Sequence, residues 1–289
     1  MNERSVGVLY LVATPIGNLA DMSPRAVEIL RRVALIAAED TRHSLPLLRH
    51  FGIATPLRAL HEHNEDVQSP RLVERLLAGE DIALISDAGT PLVSDPGFPL
   101  VRLARAAGVR VSPVPGPCAA VVALSASGLS CDRFTFAGFP PRRGPARREW
   151  LESLCERPET LIFYESGHRI GDFLHDLGAV FPLSRPVVVA RELTKLHETV
   201  YATTAGEAAG WVAADADRRK GEFVVLVGGA ELQPGGEDMD AEAVRVLGIL
   251  LRGGCSVKDA SALAAEITGS RRRALYTRAL RLAEEIDHV

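Results

Sequence analysis

Short aliphatic runs punctuate the first half of the chain at residues 6–13 (VGVLYLVA), 33–38 (VALIAA), 56–60, 81–86 and 109–114. Each is bounded by turn residues, as buried strands are. Between them, apolar residues return every three or four positions, the spacing of helices with one buried face. Ser23-Pro24 opens one such helix to Arg32, and TRHSLPLLRHFGI forms another that stops near Gly52. Ser69-Pro70 opens a third that stops at Gly79, and two more follow at 98–107 and 118–127. A Ser before Pro supplies an N-cap and a first helical residue with φ already set. Strands alternating with helices predict a mainly parallel α/β sheet.

After SGLSCDRF (127–134) the rhythm changes, with strands expected near 134–138, 160–164, 186–191, 199–204 and 222–228. Helices are expected near 145–156, 168–177 and 205–214. The Gly/Pro-rich acidic stretch 228–240 reads as a linker, and the remainder as helical, with Asp240, Ser256 and Ser270 as N-caps. The expected organisation is an N-terminal α/β domain at 1–128, a second α/β domain at 129–232, and a linker with a small helical segment at 233–289.

Composition narrows the class. With 289 residues, 47% hydrophobic and 24% charged, the chain is an ordinary globular protein long enough for two domains. A net charge of −4 announces no polyanion partner, so any nucleic-acid contact must be local. Four scattered cysteines, Cys118, Cys131, Cys155 and Cys255, form no CxxC pair and predict a reducing, cytoplasmic setting without a zinc site. VGVLYLVA is too short to span a bilayer, and Asn2-Glu3-Arg4 makes a poor signal-peptide start, so no membrane association is expected.

The chemistry gathers in three strand-end loops: ATPIGNL (13–19), SDAGTPLVSDPG (86–97) and VPGPCAA (114–120). In an open parallel sheet such ends line the ligand crevice, so the three are expected to converge on one pocket. Pro91 and Pro96 stiffen the middle loop, while Gly89 and Gly97 permit conformations closed to other residues. Asp87 and Asp95 would repel a phosphate, and neither GxGxxG nor GxxxxGK[ST] occurs. A cationic or zwitterionic ligand suits the charges; a tight turn with Asp as helix cap is the plainer alternative. His61 and His63 with flanking acids imitate a metal site but lack a third ligand at fitting spacing, so no metal is expected.

The motifs LYLVATPIGNLADMSPRA, AAEDTR, HEHNE, LISDAGTPLVSDPG, VPGPCA, FAGFPPRRG, FYESGHRI and ARELTKLHETVYATT occur in that order over residues 6–230. Together they resemble the tetrapyrrole-methylase-like superfamily of S-adenosylmethionine (SAM) methyltransferases. Within it the chain is most similar to the branch that methylates the ribose 2′-hydroxyl of a cytidine in small-subunit (16S) ribosomal RNA. The resemblance implies two α/β domains with SAM in the cleft between them, and a homodimer. SAM would touch Pro15, Ser86, Asp87, Gly89, Thr90, Cys118 and Ala119, with Tyr164 and Glu165 from the second domain. The chain departs from the family at Gly167, where a proline is usual.

For catalysis, a base would help a 2′-hydroxyl attack, and Lys195, if neutralised by burial, or Glu165 could serve. Lys195 is one of three lysines in an arginine-dominated chain, although a solvated salt-bridge cluster would also account for it. RNA contacts are expected from Arg142, Arg143, Arg147 and Arg148, from Arg169, and from Arg271, Arg272 and Arg273 in a tail resembling a helix-turn-helix. Dimer packing is the tail's alternative role. The partner would be free rRNA or the assembled small subunit. A tetrapyrrole-precursor C-methyltransferase and a non-catalytic ribosome-assembly factor are the competing functions.

Overall fold

The computed structural model describes residues 6–230, 241–270 and 272–287. Two compact units emerge, Met1–Gly229 and Ala230–Val289.

The first half of the larger unit is a five-stranded parallel sheet. Its strands are β1 (Val8–Val12), β2 (Leu35–Ala38), β3 (Leu57–Ala59), β4 (Ile82–Ile85) and β5 (Arg110–Val114), in the order β3-β2-β4-β1-β5. All its pairings are parallel, as the alternation with helices requires. Every residue of β2 and β4 is buried because helices cover both faces of the sheet. The helices are α1 (Pro24–Arg32), α2 (Thr41–His50), α3 (Glu65–Leu77), α4 (Phe98–Ala106) and α5 (Ala119–Ser127). Ser23 caps α1 as expected, its Oγ accepting from Ala26 N at 3.1 Å. The third helix departs from expectation. It begins at Glu65, with Asn64 at the cap position and Pro70 inside. Ser69-Pro70 therefore lies within the helix, and Ser69 is buried there.

The second sheet is mixed. Its strands are β6 (Phe134–Gly138), β7 (Thr160–Ser166), β8 (Pro186–Arg191), β9 (Thr199–Thr204) and β10 (Glu222–Val227), in the order β6-β7-β10-β8-β9. Only β6 and β7 pair in parallel; β10 runs antiparallel to β7 and β8, and β9 antiparallel to β8. One face packs on α6 (Gly144–Glu152), α7 (Ile170–Val180) and α8 (Ala208–Ala213) through Phe163, Phe173 and Leu151. The other face receives α5 of the first half, where Ala120, Ala123 and Leu124 meet Ile162, Val188 and Leu226. Small residues let α5 lie close to these strands, while Val121, Ser125 and Ala126 on its other side are exposed. Ile16 of the loop after β1 joins this cluster, so the first half meets the second sheet here.

The smaller unit comprises α9 (Ala241–Arg252), α10 (Val257–Thr268) and α11 (Arg272–Asp287) around Ala243, Leu247, Ala260, Ala264, Leu275 and Ala279. Ser256 caps α10, accepting from Asp259 N at 3.1 Å. Asp240 lies outside the described residues. Among the described residues no helix is long and apolar enough to cross a membrane.

Candidate functional site

Strands β4, β1 and β5 are neighbours, so the loops after them start side by side. Backbone bonds then stitch them together. Thr14 and Gly89 exchange N–H···O bonds of 2.9 and 3.0 Å. Thr14 Oγ1 donates to Ser86 O at 3.3 Å, and Ser86 Oγ to Gly89 O at 3.1 Å. Thr90 Oγ1 reaches across to Pro117 O at 2.9 Å, tying in the third loop. Two outer loops brace the middle one: Asp40 N donates to Asp87 Oδ1 at 3.1 Å, and Gly97 N to Glu65 Oε2 at 2.7 Å. Leu92 and Ser94 sit at φ 74° and 69°, a region costly for residues with a Cβ and retained where surroundings over-determine the backbone.

The second sheet closes the cleft with the end of β7. Tyr164 OH accepts from Ala120 N at 3.0 Å, so the ring bridges β7 and the first turn of α5. Its edge contacts with Phe136 and Phe139 have ring centroids 4.8 and 5.6 Å apart. Phe139 follows a bulge where the β6–β7 register shifts and Gly138 takes φ 72°, and its ring is 55% exposed. Glu165 is buried; its Oε1 accepts from Ser166 N at 2.9 Å. Its Oε2 lies 3.1 Å from Arg169 Nη2, an ion pair without hydrogen-bond alignment, and receives no hydrogen bond.

These elements enclose a cavity of about 440 Å³. Among the described residues its lining carries five carboxylates, Glu39, Asp87, Asp95, Glu165 and Glu222, and neither lysine nor arginine. Crowded, partly dehydrated carboxylates resist ionising. Burial, then the neighbouring Glu39 and Asp87, push Asp95 up to about 7 despite a hydrogen bond from Ser86. Burial and Asp87 raise Glu39 likewise, and burial raises the Tyr164 hydroxyl.

Of the residues expected at a cofactor site, Asp87, Gly89, Thr90, Cys118, Ala119, Tyr164 and Glu165 line this cavity. Ser86 is buried behind it as a loop brace, and half-buried Pro15 links Thr14 to the lining residue Ile16. Lys195 stands at the rim. Its Nζ lies 2.7 Å from Glu222 Oε2 and 3.0 Å from Glu192 Oε1, and Gly17 of the first loop packs against its stem. Burial alone would lower its pKa, but the hydrogen bonds it donates to Glu222 and Glu192 outweigh this and raise it. These contacts favour the ammonium, whereas the base role expected of Lys195 needs the amine neutralised. Asp95 is expected from the sequence as a charge favouring a cationic ligand but, like Glu39, Phe139 and Glu222, is not among the expected cofactor contacts. Asp95, Glu39 and Phe139 lie in the SDAGTPLVSDPG, AAEDTR and FAGFPPRRG motifs, whereas Glu222, at a strand start, lies in none of the sequence motifs.

A second, open cavity adjoins the first and shares Phe139 and Ser166 with it. Arg142, Arg147, His168, Arg169 and Asp172 complete its lining with Pro140 and Pro141. Arg142 and Arg143 are exposed. Arg147 is not on a solvated face: it is buried, with Nε 2.7 Å from Asp176 Oδ2. Arg148 binds the other oxygen at 2.9 Å and stays partly exposed. Together the two arginines hold the Asp176 carboxyl below the usual carboxylate range, against the opposing effect of its burial. Arg169 Nη2 donates to Pro140 O at 2.6 Å, fixing the FPPRRG turn. Arg272 and Arg273 are exposed on α11; Arg271 lies outside the described residues. His61 Nε2 lies 3.2 Å from Asn64 Nδ2, and no His, Cys, Asp or Glu cluster suited to a metal occurs among the described residues. Gly167 N donates to Gly221 O at 2.8 Å, and a Cβ there would fall 2.3 Å from Arg219 O. The departure from proline thus coincides with a close backbone approach that needs the N–H.

Comparison with known proteins agrees with this architecture. The family model for Tetrapyrrole (Corrin/Porphyrin) Methylases matches residues 8–209, and that for the RsmI C-terminal HTH domain matches 237–283. The chain is 56% identical over 276 residues to ribosomal RNA small subunit methyltransferase I of Pseudomonas aeruginosa, covering 96% of this chain and 98% of that protein. It is 54% identical to the Escherichia coli O157:H7 protein of the same name, covering 96% of each. Among solved structures it shares the fold of uroporphyrin-III-C-methyltransferase from Thermus thermophilus (TM-score 0.54, 21% identity, 77% of this chain and 94% of that one). Diphthine synthase is similar too (TM-score 0.58, 16% identity, 77% and 90%). On the near-full-length identity to these relatives and the two matched models, the chain belongs to the ribosomal RNA small subunit methyltransferase I family.

Proposed function

We propose that this protein is a SAM-dependent methyltransferase acting on the ribose 2′-hydroxyl of a cytidine in small-subunit (16S) ribosomal RNA. The observation that carries the cofactor reading is the cluster of Glu39, Asp87 and Asp95 in a cavity whose lining holds no lysine or arginine among the described residues, Glu165 and Glu222 being paired with Arg169 and Lys195. Such a lining repels phosphate-bearing cofactors and favours a ligand with a sulfonium and an ammonium. When bound, SAM supplies an electrophilic methyl group whose departure leaves a neutral sulfide.

The chain's own residues then have defined tasks. Asp87, Asp95 and Glu39 set negative charge against the cationic part of the ligand, and the Thr14–Gly89 and Thr90–Pro117 bonds hold the loops in shape. Preorganised loops matter because positioning is the largest service an enzyme gives a methyl transfer. The proton of the 2′-hydroxyl needs an acceptor, and the contacts of Lys195 with Glu222 and Glu192 favour its charged form. Asp95, a carboxylate of the cavity lining, and Glu165, whose buried Oε2 accepts no hydrogen bond and lies against Arg169, are the candidates to receive it. Exposed Arg142 and Arg143, with Arg272 and Arg273 on the helical unit, support contact with RNA phosphates. A homodimer belongs to this reading, and sedimentation velocity tests it.

The deciding experiment incubates the protein with methyl-labelled SAM and, separately, free small-subunit rRNA, assembled small subunits and a porphyrinogen. Label in RNA at a cytidine ribose is the expected result. Label in the porphyrinogen, or in nothing, would replace this reading with a tetrapyrrole enzyme or a non-catalytic assembly factor.

A further inference from the structure

The two adjoining cavities differ in the sign of their charge. The charged residues lining the first, among those described, are all carboxylates; the second carries Arg142, Arg147, Arg169 and His168 against a single carboxylate, Asp172. Phe139 and Ser166 form the wall between them. The Phe139 ring is held at a β-bulge by Tyr164 on one edge while the residue stays 55% exposed, so a flat apolar face is open beside the basic lining.

We propose that the second cavity seats the target ribonucleotide of the RNA strand, with the Phe139 ring stacking on its base and the Arg142 side receiving its phosphate. The proposal rests on the RNA-methyltransferase reading and adds where the nucleotide lies. Three features argue for a nucleotide rather than a free anion. The basic lining is joined to an exposed ring, and bases stack on such rings while their phosphates meet arginine. Arg147 and Arg169 have their charge matched by Asp176 and Glu165, so the walls are rigid and the exposed Arg142 is the group able to move onto a ligand. Finally, the shared wall places a ribose seated there beside the acidic cavity, so the anionic strand and the cationic cofactor each meet complementary charge without crossing the other's surface.

Replacing Phe139 with Trp keeps a stacking ring and installs a fluorophore in the wall. With S-adenosylhomocysteine present, a short cytidine-containing RNA oligonucleotide should quench the added emission of Phe139→Trp saturably, measured against wild type with its own Trp150 and Trp211. Inorganic phosphate should not quench it, and Arg142→Ala in the same background should weaken RNA quenching. In turnover, Phe139→Ala should raise KM for the RNA about five- to a hundredfold. Phe139→Trp should restore it, and calorimetric affinity for S-adenosylhomocysteine should change little. Absence of quenching, or an unchanged KM in Phe139→Ala while wild type methylates the RNA, overturns the proposal and leaves the activity standing. If wild type methylates no RNA, the functional reading fails, and the quenching titration still decides whether RNA sits at Phe139.

Discussion

Thr14 and Gly89 exchange both of their backbone hydrogen bonds, although they belong to loops that follow different strands of the parallel sheet. The exchange turns two loops into one rigid wall of the acidic cavity. It also explains why residue 89 is a glycine, since φ there is +82° and an added Cβ would meet Ile16 Cγ2 at 3.2 Å. Gly89→Ala should therefore destabilise the protein by about 1–3 kcal/mol and weaken SAM binding at least tenfold in calorimetry. Unaltered cofactor affinity would show that the site does not depend on this loop conformation.

The buried contact between Arg147 and Asp176 leads to a contrast among the arginines of PPRRGPARRE. Removing one partner of a buried pair leaves a charge without compensation, costing about 3–5 kcal/mol, whereas exposed positions change stability by about 0.5 kcal/mol or less. Arg147→Ala should lower the urea midpoint steeply and Arg142→Ala should leave it in place. Equal midpoints for the two variants would return Arg147 to the RNA-contacting arginines among which the sequence placed it.

Much of this architecture is legible in the residues because local rules decide it. Ser23-Pro24 and Ser256 cap the helices they precede, and the runs at 33–38 and 81–86 become strands buried along their whole length. Ser69-Pro70 misleads for a physical reason. Asn64 and the acidic first turn Glu65-Asp66 start the helix earlier, and Glu65 is drawn there by the N–H of Gly97. The convergence of the three Gly-Pro loops is also legible, since it follows from neighbouring strands. What pattern cannot show is the partner across space. Nothing local reveals that Asp176 neutralises Arg147, that Glu222 reaches Lys195, or that a bulge exposes Phe139.

Asp95 makes the cavity responsive to pH near neutrality. Its carboxyl titrates at about 7 in the folded protein and near 3.9 in an unfolded chain. Between those values the folded state keeps a proton that the unfolded state has released. The contribution is therefore favourable at low pH and is lost as pH rises through the window, levelling off above about 7. Asp95→Asn should raise the melting temperature of the ligand-free protein more at pH 8 than at pH 5. A bound sulfonium favours the ionised carboxylate, so SAM binding should release protons near pH 7 and tighten from pH 6 to pH 8. Calorimetry in buffers of different ionisation enthalpy measures that release; none, with equal gains at both pH values, would remove Asp95 from the titration.

Lys195 separates two mechanisms at one position. The ammonium is held by Glu192, whose side chain is 17% exposed, and by Glu222, whose side chain is 76% exposed. An exposed ion pair is worth about 0–1 kcal/mol, so the Glu192 contact is the stronger hold, and Glu192 also accepts from Glu222 N at 2.9 Å. Lys195 thereby braces the start of β10 at the cavity rim, and both contacts favour its charged form. Arginine preserves the charge and cannot act as a base near neutral pH. Lys195→Arg should keep the single-turnover methyl-transfer rate within a few-fold, with an unshifted pH–rate profile. Lys195→Ala should lose stability and weaken RNA binding while the chemical step slows less. A bracing residue predicts that ordering, because what alanine removes is charge and packing. If arginine and alanine instead depress the single-turnover rate alike, by a hundredfold or more, while the RNA Kd rises only in the alanine variant, Lys195 is the proton acceptor after all. The raised pKa would then have to fall once RNA covers the rim, which a pH–rate profile of the wild-type complex would show as an ascending limb below pH 10.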